Sequence, residues 1–189
     1  MGAYKYIQRT FQDGGEAMLR PKLIQWRKEE TIVSIDYPTK LHRARSLGYR
    51  AKQGIVLVRV RVQRGGRQRP QLKGGRTPRK QRRKKIVNIS YQSVAEQRAN
   101  RKYPNCEVLN SYEVARDGIY AWYEIILVDK NHPVIKADPI LSWITEPQHT
   151  GRAFRGLTSA AKKSRGLRRK GKGAEKVRPS LRANKRKLH

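Results

Sequence analysis

The stretch Ile119-Tyr120-Ala121-Trp122-Tyr123-Glu124-Ile125-Ile126-Leu127-Val128-Asp129 is apolar on both of its β-faces. At a period of two, Ile119, Tyr123, Ile125 and Leu127 share one side, and Trp122, Ile126 and Val128 share the other. A strand apolar on both sides has to be covered on both sides. The stretch therefore predicts a sheet with helices on each face. Just upstream, residues 107–114 read as a second strand, and Ala115-Arg116-Asp117-Gly118 joins the two as a hairpin turn. Residues 54–63 form a third strand. Val56, Val58, Val60 and Val62 line one of its faces; Ile55, Leu57, Arg59 and Arg61 line the other. That second face begins apolar and turns cationic, as expected of a strand leaving a core for a charged interface. A short fourth strand spans residues 31–35 and stops at Tyr37-Pro38.

Helices flank these strands. Tyr4, Ile7 and Phe11 at i, i+3, i+7 predict a helix over 3–12, ended by Asp13-Gly14-Gly15. A second helix is expected over 16–30, with Leu19, Leu23 and Trp26 on one face and Pro21 marking an early turn or a kink. Ser93-Val94-Ala95-Glu96 reads as a capping box opening a helix to about Tyr103, closed by Pro104. Residues 132–149 carry Pro133, Pro139 and Pro147, with Trp143-Ile144 as an apolar plug. There is no internal repeat.

The charge is segregated. Residues 59–85 hold 13 basic residues and no acid, and residues 150–189 hold 15 basic residues and one acid, Glu175. Between them, residues 86–149 hold 6 basic residues and 8 acids. Hydrophobic content is only 37%, against roughly 45–50% in an ordinary globular chain. The expected organisation is one core domain over 1–149, with a basic loop inserted at about 64–87, followed by a basic extension over 150–189. A net charge of +31 repels itself, so the working state is a complex with an anionic partner.

Other classes fit poorly. The single cysteine, Cys106, makes neither an intrachain disulfide nor a Cys-rich zinc site, and suits a reducing intracellular location. No run of about 18 apolar residues suggests a membrane span. The N-terminus has no apolar signal core, and Tyr6 stands where myristoylation requires Ser or Thr. His42, His132, His149 and His189 are scattered without ligand spacing, so no metal, catalytic group or cofactor is expected. Residues 166–173 nearly match a phosphate loop, but Gly173 replaces the hydroxyl residue that would ligate magnesium and no buried strand precedes them. Glu124, in mid-strand among apolar residues, is expected in an internal ion pair with Arg59 or Arg61 rather than in catalysis.

The basic segments indicate nucleic acid. Each neutralised phosphate releases condensed counterions, and arginine adds bidentate phosphate contacts and base stacking. Ordering the 40 residues of 150–189 costs on the order of 40–80 kcal/mol, with little apolar burial to offset it. A large polyanion with narrow crevices supplies the missing contacts, and structured RNA has them. The tryptophans and tyrosines lie mostly at strand or helix spacing and read as core rather than as base-stacking groups.

Several motifs resemble the large-ribosomal-subunit protein fifteen family of archaea and eukaryotes. They are Arg45-Ser46-Leu47-Gly48-Tyr49-Arg50-Ala51-Lys52-Gln53-Gly54, Gln92-Ser93-Val94-Ala95-Glu96, Val108-Leu109-Asn110-Ser111-Tyr112, Glu124-Ile125-Ile126-Leu127-Val128-Asp129, Arg155-Gly156-Leu157-Thr158-Ser159-Ala160 and Ser164-Arg165-Gly166-Leu167. The segment 173–182 is similar to the archaeal branch. The resemblance implies a non-enzymatic structural component of the large subunit, in the cytoplasmic ribosome, with large-subunit rRNA and neighbouring ribosomal proteins as partners and no membrane or small-molecule substrate. It implies an α+β core, with a small, mainly antiparallel sheet and helices packed around it, plus long basic segments that fold on RNA. Its RNA-facing role carries over to Arg43, Arg45, Arg50, Lys52, Arg59, Arg61 and Arg64. Within the loop it carries to Arg67, Arg69, Lys73, Arg76, Arg79, Lys80, Arg82, Arg83, Lys84 and Lys85. In the C-terminal stretch it carries to Arg152, Arg155, Lys162, Lys163, Arg165, Arg168, Arg169, Lys170, Lys172, Arg178 and Arg182. The alternative is an architectural nucleic-acid-binding protein outside the ribosome, which calls for repeats, a helix-turn-helix or a dimer seam.

Overall fold

The computed structural model describes residues 2–66, 74–75, 89–168, 177–178 and 183. It has a four-stranded antiparallel sheet, with β1 (Ile32–Ile35), β2 (Ile55–Gln63), β3 (Cys106–Arg116) and β4 (Tyr120–Asp129) in the order β1-β2-β4-β3. The doubly apolar strand β4 lies between β2 and β3. Register shifts between Val108 and Asn110, and between Glu113 and Ala115, bend β3 against it.

Each face has its own core. On one, Val58, Val60, Val62, Tyr123, Ile125 and Leu127 pack under Ala95 and Ala99 of α3 (Tyr91–Lys102). The small alanines allow the helix to approach closely. On the other face, Leu57, Trp122 and Ile126 meet Leu19 and Trp26 of α1 (Ala3–Lys28) and Ala44 of α2 (Leu41–Ser46). A third cluster closes one end of the sheet. There Val128 packs with Ile135 of α4 (Pro133–Lys136), Leu141 and Ile144. The fold is α+β, covered on both sides as the β4 pattern predicts.

Two expectations are corrected. α1 runs unbroken through Asp13-Gly14-Gly15 and Pro21 for 26 residues, where the sequence predicts two helices. Interior glycines disfavour a helix by about 1 kcal/mol each, and tertiary packing overrides that. Gly15 is buried one turn from Phe11, whose ring lies 5.6 Å from that of His42 in α2. Leu19 and Trp26 then anchor the second half. The second correction concerns α3. Its cap is Ser90, whose side chain accepts from Ser93 N, so the helix starts three residues before the expected box.

Glu96 is thereby released from capping and does something else. It is fully buried and accepts from Ser111 Oγ on β3 and Thr158 Oγ1, each at 2.5 Å. Thr158 in turn caps α5 (Ser159–Ser164) by accepting from Ala161 N. One carboxylate thus ties α3, the sheet and the start of the C-terminal stretch together, and Ala153 of that stretch enters the main core.

Burial raises the Glu96 carboxyl above its ordinary value of 4.5, opposed by the two hydroxyls and by Arg152. The folded state therefore binds this proton more tightly than the unfolded state. Its contribution is fully present below pH 4.5 and is lost as pH rises through the raised value. The stability of Glu96→Gln relative to wild type should consequently increase as pH rises from 4.5. Melting temperatures of both proteins across that range check this; a constant difference contradicts it.

Candidate nucleic-acid interface

The described cations fall into two groups according to what the fold does with them. Arg59 and Arg61 project from β2 onto the α1 face and are used internally. The Arg59 guanidinium lies 4.2 Å from the Trp26 ring centroid and pairs with Glu29 at 2.6 Å, leaving its side chain 11% exposed. Arg61 stacks 4.7 Å from the Tyr120 ring centroid and donates to the Arg27 carbonyl. The cationic end of β2 is therefore the docking surface for the C-terminal turn of α1.

Glu124 is likewise corrected. Arg59 is its cross-strand partner in register, but no ion pair forms. The carboxylate instead accepts from Thr39 Oγ1 at 2.5 Å, from Thr39 N at 3.1 Å and from Tyr112 Oη. Two hydroxyls and a backbone N–H satisfy a buried carboxylate locally. The longer arginine reaches Glu29 at the edge, where its charge keeps part of its hydration. Burial pushes the Glu124 carboxyl up, and burial with the adjacent carboxylate pushes the Tyr112 phenol up. Cys106 is also sealed in the core, its thiol pushed up to about 11 by burial.

The second group faces outward. Arg43 of α2 and Arg50 of the following loop are exposed. Arg45 packs over the Tyr49 ring with its Nε unpartnered. Lys52 pairs with Asp138, whose carboxylate also accepts from the N–H groups of Ile140 and Leu141 and is held below its ordinary range by these contacts. Arg64 is exposed and donates to the Asp117 carbonyl. In the C-terminal stretch, Arg155, Lys162, Lys163 and Arg168 are exposed. Arg152 donates to the Val108 carbonyl at 3.0 Å. Arg165 donates to the Gly156 carbonyl at 2.9 Å, and Arg178 to the Leu167 carbonyl at 2.5 Å. Among the described residues only six ion pairs form, so most of the positive charge remains for a partner.

These outward cations converge. The 41–54 segment and the 150–168 segment come from opposite ends of the chain, yet they flank adjacent clefts of about 550 and 400 Å³ that share Leu109 and Trp143. Arg45, Arg50 and Lys52 line the first; Arg152, Lys162 and Arg168 line the second. The remaining sequence candidates, Arg67, Arg69, Lys73, Arg76, Arg79, Lys80, Arg82, Arg83, Lys84, Lys85, Arg169, Lys170, Lys172 and Arg182, lie outside the described residues.

Reading the sequence for arms missed a further stripe. Lys5, Arg9 and Arg20 are all exposed on α1, and at 100° per residue they fall within roughly 60° of one another. A helical wheel drawn over 3–28 as one helix would have found them; the two-helix reading hid the alignment.

A family model described as Ribosomal L15 matches residues 2–184. The chain is 52% identical over 186 residues to the Large ribosomal subunit protein eL15 of Methanospirillum hungatei, covering 96% of this chain and 95% of the relative. It is 51% identical over 190 residues to the protein of that name from Methanocella arvoryzae, covering 98% and 97%. With the Thermoplasma volcanium protein of the same name it shares 54% over 166 residues, covering 87% and 84%.

Proposed function

The chain belongs to the Ribosomal L15 family, and from that premise we propose that its outward cations hold large-subunit rRNA against a core that folds by its own packing. It is a structural constituent of the large ribosomal subunit, of archaeal type, and not an enzyme. It works within the ribosome, among rRNA and other ribosomal proteins. The finer reading is that phosphate neutralisation and shape recognition, at the cationic positions named above other than Arg59 and Arg61, lock rRNA segments together in the cytoplasmic ribosome. Lys5, Arg9 and Arg20 join those positions. The division into a core over 1–149 and a basic extension from 150 belongs to this proposal, with Thr158 and Ala153 as the points where the extension is moored.

The observation that carries the reading is the convergence of cations from two distant segments on one groove, with Arg50, Lys162 and Arg168 exposed and outside any ion pair, in a chain of net charge +31. Phosphate is the ligand such a surface selects. Replacing Arg43, Arg50, Lys162 and Lys163 together by glutamine removes four exposed positive charges that take part in none of the ion pairs. We expect the variant to melt like wild type yet co-sediment poorly with large subunits in sucrose gradients, at least tenfold below wild type in physiological salt, a conservative share of the loss for several phosphate contacts. Full incorporation would count against the assignment.

A further inference from the structure

The paired clefts carry more than charge. Their common floor is apolar, formed by Leu109 and Trp143, and Ile140 beside them is 68% exposed. A double helix offers phosphate and groove edges to a protein and has little use for an apolar floor. An unpaired strand offers phosphates on one side and base faces on the other. From this the structure assigns the groove over Leu109 and Trp143 as a binding site for unpaired nucleotides of RNA, with a base extending the stack that Trp143 and Arg152 already form.

The geometry is prepared for this. Arg152 lies over the Trp143 ring, 4.9 Å from its centroid, and His149 meets that ring edge-on at 83°. The Arg152 guanidinium is held in place by its 3.0 Å bond to the Val108 carbonyl, while its Nε has no partner among the described residues. A guanidinium anchored on an indole presents a flat cationic face on which a base stacks. Arg45, at the other end of the groove, also has a buried Nε without a partner. The cations on the walls, Arg50 and Arg168 among them, suit the strand's phosphates. Asp138, the acid in the lining, is neutralised by Lys52. A groove with this charge disfavours a basic segment of a neighbouring protein.

This inference rests on the reading that the chain binds RNA, and the test separates the two. The full chain is titrated with a short oligouridylate and with an RNA duplex of equal length, in physiological salt. Arg152→Lys keeps the charge and removes the planar stacking face. We expect it to weaken oligouridylate binding about tenfold, the scale of one lost base stack, and to leave duplex binding within about twofold, since phosphate neutralisation is unchanged. Equal losses on both probes, or no loss on either, overturn the inference while leaving RNA binding intact. Wild type binding neither probe overturns the underlying reading and the inference with it. A second measurement needs no variant. Ultraviolet crosslinking of intact large subunits should join the peptide spanning 143–152 to a nucleotide that chemical probing finds unpaired. A crosslink to a base-paired nucleotide, to a neighbouring protein, or to nothing at all overturns the assignment.

Discussion

Trp26→Ala is expected to destabilise the folded chain by about 3–5 kcal/mol, the range for emptying a large aromatic site in a core. Trp26 is 4% exposed and holds α1 to the sheet through Trp122, at 6.1 Å between ring centroids. It is also the surface on which Arg59 stacks. Removing it opens a cavity and leaves a half-buried guanidinium with Glu29 alone. Denaturant melts measure the loss, and amide exchange locates it: protection should fall along α1 before it falls in β4. For a chain with a typical 5–15 kcal/mol of total stability, a change of this size is readily resolved. A loss below about 1 kcal/mol would mean that α1 is not moored by this residue.

Gly54→Ala is expected to cost roughly 2–5 kcal/mol, from left-handed strain and overpacking together. Gly54 opens β2 at φ +85°, and its carbonyl accepts from Asp129 N. A Cβ there would sit 2.6 Å from Ile135 Cγ1 and 3.0 Å from His132 Cγ. His132 caps α4 and Ile135 is fully buried, so neither is free to yield. The conformation turns the chain out of the cationic 41–53 segment and into the sheet. The variant should therefore unfold earlier and also disturb the groove wall carrying Arg50 and Lys52. Melting like wild type would contradict the steric account.

The sheet was legible because its signals are local. The two-faced apolar pattern of β4 announces a covered central strand, and Ala115-Arg116-Asp117-Gly118 announces the hairpin. What the sequence hid depends on long-range partners. Nothing local says that Glu96 will meet Thr158, 62 residues on, rather than cap its own helix. Arg59 and Arg61 look like interface cations because a strand pattern does not reveal that α1 returns to cover them. Glu124 looks like half of an ion pair because charge is easier to match by eye than a backbone N–H and two hydroxyls. The continuity of α1 was obscured by Gly14 and Gly15, whose propensity is outweighed by packing near Phe11 and Leu19. The candidate interface shows the same division. Its cations are visible as composition, but the groove that joins 41–54 to 150–168 exists only in the fold.

The central claim is that this chain is held to rRNA by many phosphate contacts. The most direct test is the affinity of the purified chain for protein-free large-subunit rRNA as a function of salt. For about ten neutralised phosphates, log K against log salt concentration should be linear with a slope of about −7 to −9. A slope near zero would contradict the account.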